Sequence, residues 1–142
     1  MKCVIVHYSE IGIKGGNRRF FEKRLVENIK LAVGCKVERK RGRIVLRGVR
    51  AKEVPKLAKI PGISSFSVAE ESKKDMKSIG AVAVSLAKKS SARSFRVSAS
   101  RADKSFPKTS PEINRLIGGV VWKATKKKVD LHGPELEIFI EI

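Results

Sequence analysis

The residues best placed to do chemistry lie between Arg101 and Gly119, in the run RADKSFPKTSPEINRLIGG. Arg101, Lys104 and Lys108 precede a strongly signalled helix start, opposed only by Asp103. Thr109 and Glu112 have the T-x-x-E spacing of a capping box. Ser110-Pro111 offers the alternative of a Ser cap with Pro at the first helical position. Cations set against the free amide donors of a helix start gather positive potential, so the expected chemistry is the grip of an anion such as phosphate.

A second cationic run, Lys14-Gly15-Gly16-Asn17-Arg18-Arg19, combines glycines that let a backbone approach phosphate with a second helix start. Arg18 and Arg19 oppose the dipole of the helix they open, and a stability rule broken by two adjacent residues points to function. The run lacks the Gly-Lys-Ser/Thr of a Walker loop, whereas Gly12-Ile13-Lys14-Gly15 fits the short G-x-x-G of KH domains. Its competing reading is a solvated turn. On the helix after Thr109, Arg115, Gly118 and Trp122 fall opposite the apolar stripe, with Asn114 at its flank. Trp122 either stacks a base or packs against a neighbouring domain or chain, and packing is the favoured expectation. Phe106 either anchors its loop in the core or stacks on a terminal base.

Catalytic constellations are not legible. His7 and His132 fall in unrelated segments, and no carboxylate pair reads as acid and base. Cys3 and Cys35 lack metal-ligand spacing and read as reduced thiols of a cytosolic protein. Lys126-Lys127-Lys128 ends a helix, where cations are favoured anyway.

The elements that must position these residues follow from periodicity. Residues 2–8 read as a strand, and Asn17 is expected to cap a helix carrying Phe21, Leu25, Ile29 and Ala32, stopped at Gly34. Lys36–Lys40 and Arg43–Arg47 flank Arg41-Gly42 as a hairpin with one solvated cationic face. A short helix over Lys52–Lys59 stops at Pro61-Gly62, and Ile63–Ala69 is a strand. The order β-α-β-β-α-β is that of the ferredoxin-like fold. A polar stretch at 70–75 separates residues 1–72 from 73–142. The second part reads as a helix from Met76 to Lys89, a strand at Phe95–Ala99, a helix from Ser110 to Thr125 and a strand from Leu136 to Ile142. The last helix is expected to bury Ile113, Leu116, Ile117, Val120, Val121 and Ala124. The fold class is therefore mixed, α+β followed by α/β.

The 142 residues include 32 Lys+Arg and 14 Asp+Glu, for a net charge of +18. Residues 1–72 hold 17 basic and 7 acidic side chains, and residues 73–142 hold 15 and 7, so the halves carry +10 and +8. Excess on both halves favours a long polyanion over a local acidic ligand. With 42% hydrophobic residues the chain builds a core and is not a disordered basic tail. No apolar run is long enough to span a membrane, and no signal or lipidation motif is read. The absence of Gln, with three Asn and many Lys, leans towards a thermophile.

The run RADKSFPKTSPEINR resembles the central motif of THUMP domains, in the version found in tRNA 4-thiouridine synthetases. EIGIKGGNRRFFEKRLVENI, from Glu10 to Ile29, resembles the N-terminal ferredoxin-like domain of the same enzymes. The resemblance implies tRNA as partner, with THUMP engaging the acceptor stem and 3′ CCA end. It implies RNA contact by Lys14, Gly15, Asn17, Arg18 and Arg19, and by Arg101, Lys104, Phe106, Lys108, Ser110, Asn114 and Arg115. It implies no cofactor here. ATP and a sulfur donor belong to a PP-loop domain whose S-G-G-x-D-S signature and relay cysteine are missing from the sequence, so this chain is not expected to be an enzyme by itself. THUMP domains normally continue past the final strand, so the second domain reads as truncated or as completed by a partner, and the chain as a fragment, a split-gene subunit working with a separate PP-loop catalytic chain, or a free-standing adapter. An open final edge invites pairing with a second copy. The rival expectations are a module serving a methyltransferase or deaminase, and a general RNA-binding protein.

Overall fold

Strand β1 (Lys2–Tyr8) sets the first unit: Val4, Val6 and Tyr8 are buried on one side of the pleat. It pairs antiparallel with β3 (Arg43–Arg47) and with β4 (Ile63–Glu70), giving the sheet order β2-β3-β1-β4 with β2 at Lys36–Lys40. Gly42, at φ 75°, supplies the left-handed residue of the β2–β3 turn. Helix α1 (Gly16–Ala32) lays Leu25 and Ile29 into a core shared with Val33, Ile44, Leu46, Leu57 and Ile60. The computed structural model describes residues 2–8, 16–40 and 42–142. The chain divides into Met1–Glu71 and Ser72–Ile142, a boundary one residue before that expected from composition.

Three expectations for this unit are corrected. Helix α1 already begins at Gly16, so Asn17 lies inside its first turn and is not the cap. The segment Ala51–Lys59 is a 3-10 helix containing Pro55, which lacks the amide hydrogen of a regular helix. Strand β4 also runs one residue further, to Glu70. The hairpin's cationic face is tied down: Arg47 bonds both Glu38 and Glu71, and Lys40 pairs with Glu38 at 2.5 Å. Lys40 and Arg47 together hold the Glu38 carboxyl down at about 2.

In the second unit, Asp75 caps α2 (Met76–Lys89), its carboxylate accepting from the Ser78 amide at 2.8 Å. The sheet is parallel, with order β6-β5-β7: β5 (Ser94–Ser100) lies between β6 (Lys128–Val129) and β7 (Leu136–Glu141). Among the described residues β7 is an edge strand. Phe95 and Val97 of β5, Ile138 and Ile140 of β7, Ile79 and Ala83 of α2, and Ile113, Ile117 and Val121 of α3 (Ser110–Thr125) form one core. Gly80 of α2 faces α3, where an added Cβ would stand at ordinary contact distance, 3.4 Å from Val120 and 3.7 Å from Ile117. The buried stripe of α3 is narrower than periodicity suggested. Leu116 and Val120 are 38% and 44% exposed, and Ala124 is exposed, because the helix meets its neighbours along the 113-117-121 line. No helix is long and apolar enough to cross a membrane among the described residues.

Candidate nucleic-acid interface

The loop between β5 and α3 is built as a fixed platform. The amides of Ala102 and Asp103 both donate to the Ile142 carbonyl, at 2.6 and 3.0 Å, which pins the loop to the end of β7. Arg101 reaches across it, with Nη1 donating to the Phe106 carbonyl at 3.1 Å. Phe106 is 6% exposed and belongs to the core cluster with Val97, Ile113 and Ile142. Of its two expected roles, the anchor is therefore the one it fills, and its ring offers no face to a base. Asp103 accepts Lys74 Nζ at 2.7 Å and both the amide and the hydroxyl of Ser105. These donors, Lys74 first, hold its carboxyl far below the usual carboxylate range. The loop's one acid is thus committed internally, while Lys104 stays exposed with no ion pair among the described residues.

Helix α3 opens with the complete capping box, which decides between the two starts legible in sequence. Thr109 is the cap: its hydroxyl accepts from the Glu112 amide at 3.3 Å, and Glu112 Oε1 accepts from the Thr109 amide at 3.3 Å. Ser110 is the first helical residue, with Pro111 behind it. Thr109 and the nearby Lys108 and Arg115 keep the Glu112 carboxyl low. Arg101, Lys104, Lys108, Ser110 and Arg115 are thereby gathered on one loop and one helix start. Arg101 is half-buried and holds the loop as well as adding charge.

Asn114 has a structural task that sequence did not show. Strand β6 has two residues, so it leaves the β5 edge uncovered beyond Phe95, and Asn114 Oδ1 accepts the Ala99 amide there at 2.7 Å. On the same flank of α3, Pro111, Asn114, Arg115, Gly118, Gly119 and Trp122 line one wall of a cleft of about 770 Å³. Phe95–Ser98 of β5, with Val129 and Leu131, line the rest. Trp122 is 46% exposed, and Lys126 Nζ sits 4.4 Å from its ring centroid. Val129 and Leu131 escaped the sequence reading because a two-residue strand and its following turn leave no periodic signal.

In the first unit, Lys14 and Gly15 lie outside the described residues. Arg18 pairs with Glu22 at 3.3 Å, and Glu22 also accepts the Tyr8 hydroxyl at 2.6 Å and faces Arg39 at 3.8 Å. That carboxylate offsets part of the repulsion at a first turn that contains no acid. Asn17 and Arg19 are exposed. Burial pushes the Cys3 and Cys35 thiols up, which makes them poor nucleophiles. No group of three His, Cys, Asp or Glu side chains fit to hold a metal occurs among the described residues.

Two domain models match the chain: the ThiI ferredoxin-like domain over residues 3–67 and the THUMP domain over residues 73–142. The chain belongs to these two domain families, joined in that order. It is 38% identical to the protein named "Probable tRNA sulfurtransferase" of Caldanaerobacter subterraneus, covering 98% of this chain and 38% of that protein. It is 36% identical to the protein of the same name from Thermococcus kodakarensis, covering 98% and 40%. Among solved structures, a 4-thiouridine synthetase in complex with RNA and ATP superposes over the whole chain, with a TM-score of 0.83 and 33% identity. PH1313 from Pyrococcus horikoshii superposes with a TM-score of 0.90, also at 33% identity. This chain spans 38% of the former and 51% of the latter. TrmN from Thermus thermophilus, at a TM-score of 0.65 and 20% identity, shares the fold. The fixed loop and the capped α3 lie within the THUMP match.

Proposed function

We propose that the chain is a tRNA-binding module of a tRNA 4-thiouridine synthetase system. It holds the acceptor stem and the 3′ CCA end while a PP-loop catalytic domain, on a further segment or a separate chain, thiolates a uridine. The observation that carries this reading is the rigid cationic loop Arg101–Lys108, whose one acid is bound internally, set directly before the capped start of α3 in a THUMP domain. The side chains of Lys104, Lys108 and Arg115 suit phosphates of an unpaired end. The major groove of A-form RNA is closed to side chains, so selection rests on shape, 2′-hydroxyls and unpaired nucleotides. ATP and the sulfur donor belong to the PP-loop domain, and this chain's own contribution is binding and orientation. We place its action in the cytoplasm, with the open β7 edge available for pairing.

The test is affinity for an intact tRNA against the same tRNA lacking its CCA end, at several salt concentrations. A loss of about tenfold on trimming, about 1.4 kcal/mol, supports the reading. Equal affinities with a steep salt slope refute it in favour of generic polyanion binding.

A further inference from the structure

The charge of the second unit is unevenly spread. Its 15 Lys and Arg all lie between Lys73 and Lys128, among three acids, whereas residues 129–142 carry Asp130, Glu135, Glu137 and Glu141 and no Lys or Arg. That acidic stretch ends in β7, whose far side has no partner strand among the described residues. The Ile142 amide donates to the Ser100 carbonyl at 3.0 Å. Backbone groups alternate in direction along a strand, so Ile138 and Ile140 also turn theirs towards β5, and Glu137, Phe139 and Glu141 turn theirs to the open edge. Phe139 stands in the middle of that row and is 70% exposed. A parallel sheet ordinarily has both faces covered, yet α2 and α3 take only the face of Val97, Ile138 and Ile140. The edge carries none of the Lys, Pro or bulges that guard an exposed strand. What guards it is carboxylate charge, and that guard admits a cation.

We propose that the β7 edge docks an extended segment of a partner protein, which adds to the sheet as a strand with the pattern cation, three apolar residues, cation. Main-chain bonds at residues 137, 139 and 141 supply the affinity, and the side chains supply the choice. In an antiparallel addition the central residue of the segment faces Phe139, and its two cations stand opposite Glu137 and Glu141. Its other two apolar residues fall on the side of Ile138 and Ile140, which is buried. Arg96 satisfies part of the Glu137 carboxylate, at 2.5 Å. Glu135, just before the strand, accepts the neutral Arg93 amide at 3.1 Å and so keeps its charge. The same carboxylates decide the occupant. A second copy pairing antiparallel about Phe139 would set Glu137 of one copy opposite Glu141 of the other, like charge on like. RNA is likewise disfavoured on the one stretch of this unit without a cation. This surface is independent of the tRNA-binding reading and adds a protein partner to it.

The probe is a capped synthetic peptide, Gly-Thr-Lys-Val-Val-Val-Lys-Thr-Gly, titrated into the isotope-labelled chain. Backbone amide shifts are expected to move, saturably, at Glu137, Phe139 and Glu141 and to stay fixed over β1. A peptide with Glu in place of both lysines, and one N-methylated at the central valine, should each bind about tenfold more weakly or worse, having lost the charge match or a ladder donor. Phe139→Lys puts a cation on the edge and should weaken the peptide by about tenfold, with Tm unchanged because the side chain is exposed. Phe139→Thr keeps a strand former without the ring, and is expected to weaken the peptide by less than Phe139→Lys does. Absence of shifts at 137–141, equal binding of the charge-reversed peptide, or wild-type binding by Phe139→Lys overturns the proposal. Concentration-dependent shifts of the same amides in the free chain make the occupant a second copy, and displacement of the peptide by tRNA makes it RNA. Either result also overturns it.

Discussion

Replacing Phe106 with Ala separates the two roles that its sequence position left open. The side chain is 6% exposed and sits in the core cluster of the second unit, while its carbonyl receives Arg101 and its amide donates to the Asp103 carbonyl at 3.4 Å. Removing a buried phenyl ring leaves a cavity and costs about 3–5 kcal/mol. The second unit has 71 residues, and a domain of that size shifts by about 4–8 °C in Tm per kcal/mol, so a loss of about 3 kcal/mol lowers Tm by about 12–24 °C. Urea or thermal unfolding followed by Trp122 emission reads that unit directly, because the single tryptophan lies in α3. Phe106→Leu keeps most of the volume and is expected to cost less than about 2 kcal/mol while retaining RNA affinity. If Phe106→Ala unfolds at the wild-type temperature yet loses RNA affinity, the ring is a stacking surface and the anchor argument is wrong.

Thr109→Ala removes one half of the capping box and should cost about 1 kcal/mol, measured by the same unfolding assay. Asp103 has a folded pKa depressed by Lys74 and Ser105, so its stabilisation is present above the unfolded carboxylate value of about 4 and is lost as pH falls below it. Asp103→Asn should therefore lower Tm at neutral pH and flatten the acid limb below about pH 4, and an unchanged limb contradicts that assignment. Lys104→Ala and Arg115→Ala should each reduce the slope of log affinity against log salt by about 1 without lowering Tm, because both side chains are exposed and make no ion pair among the described residues.

The sequence made legible whatever depends on local pattern. The helices Met76–Lys89 and Ser110–Thr125 and the hairpin around Gly42 follow from apolar period, caps and a turn residue, and each stands where expected. Long-range accounting was illegible. Nothing in the sequence says that Ile142 receives two loop amides, that Asn114 serves an uncovered strand edge, or that Asp103 is held by Lys74. These bonds follow from a two-residue β6 and from how β7 ends beside the loop, which are tertiary facts. For the same reason the cations of the motif could be named but their freedom could not. Lys104 and Arg115 make no ion pair among the described residues while Arg101 braces the loop, and only the folded loop separates those roles. The over-wide core stripe of α3 has a similar cause, because periodicity marks apolar residues without saying how much of the helix its neighbours cover.

The most direct test of the account is amide hydrogen exchange on the chain with and without saturating tRNA. Protection is predicted over residues 101–119, with the amides of α2 (Met76–Lys89) unchanged. Bound tRNA that leaves 101–119 exchanging as in the free chain, with protection elsewhere, contradicts it.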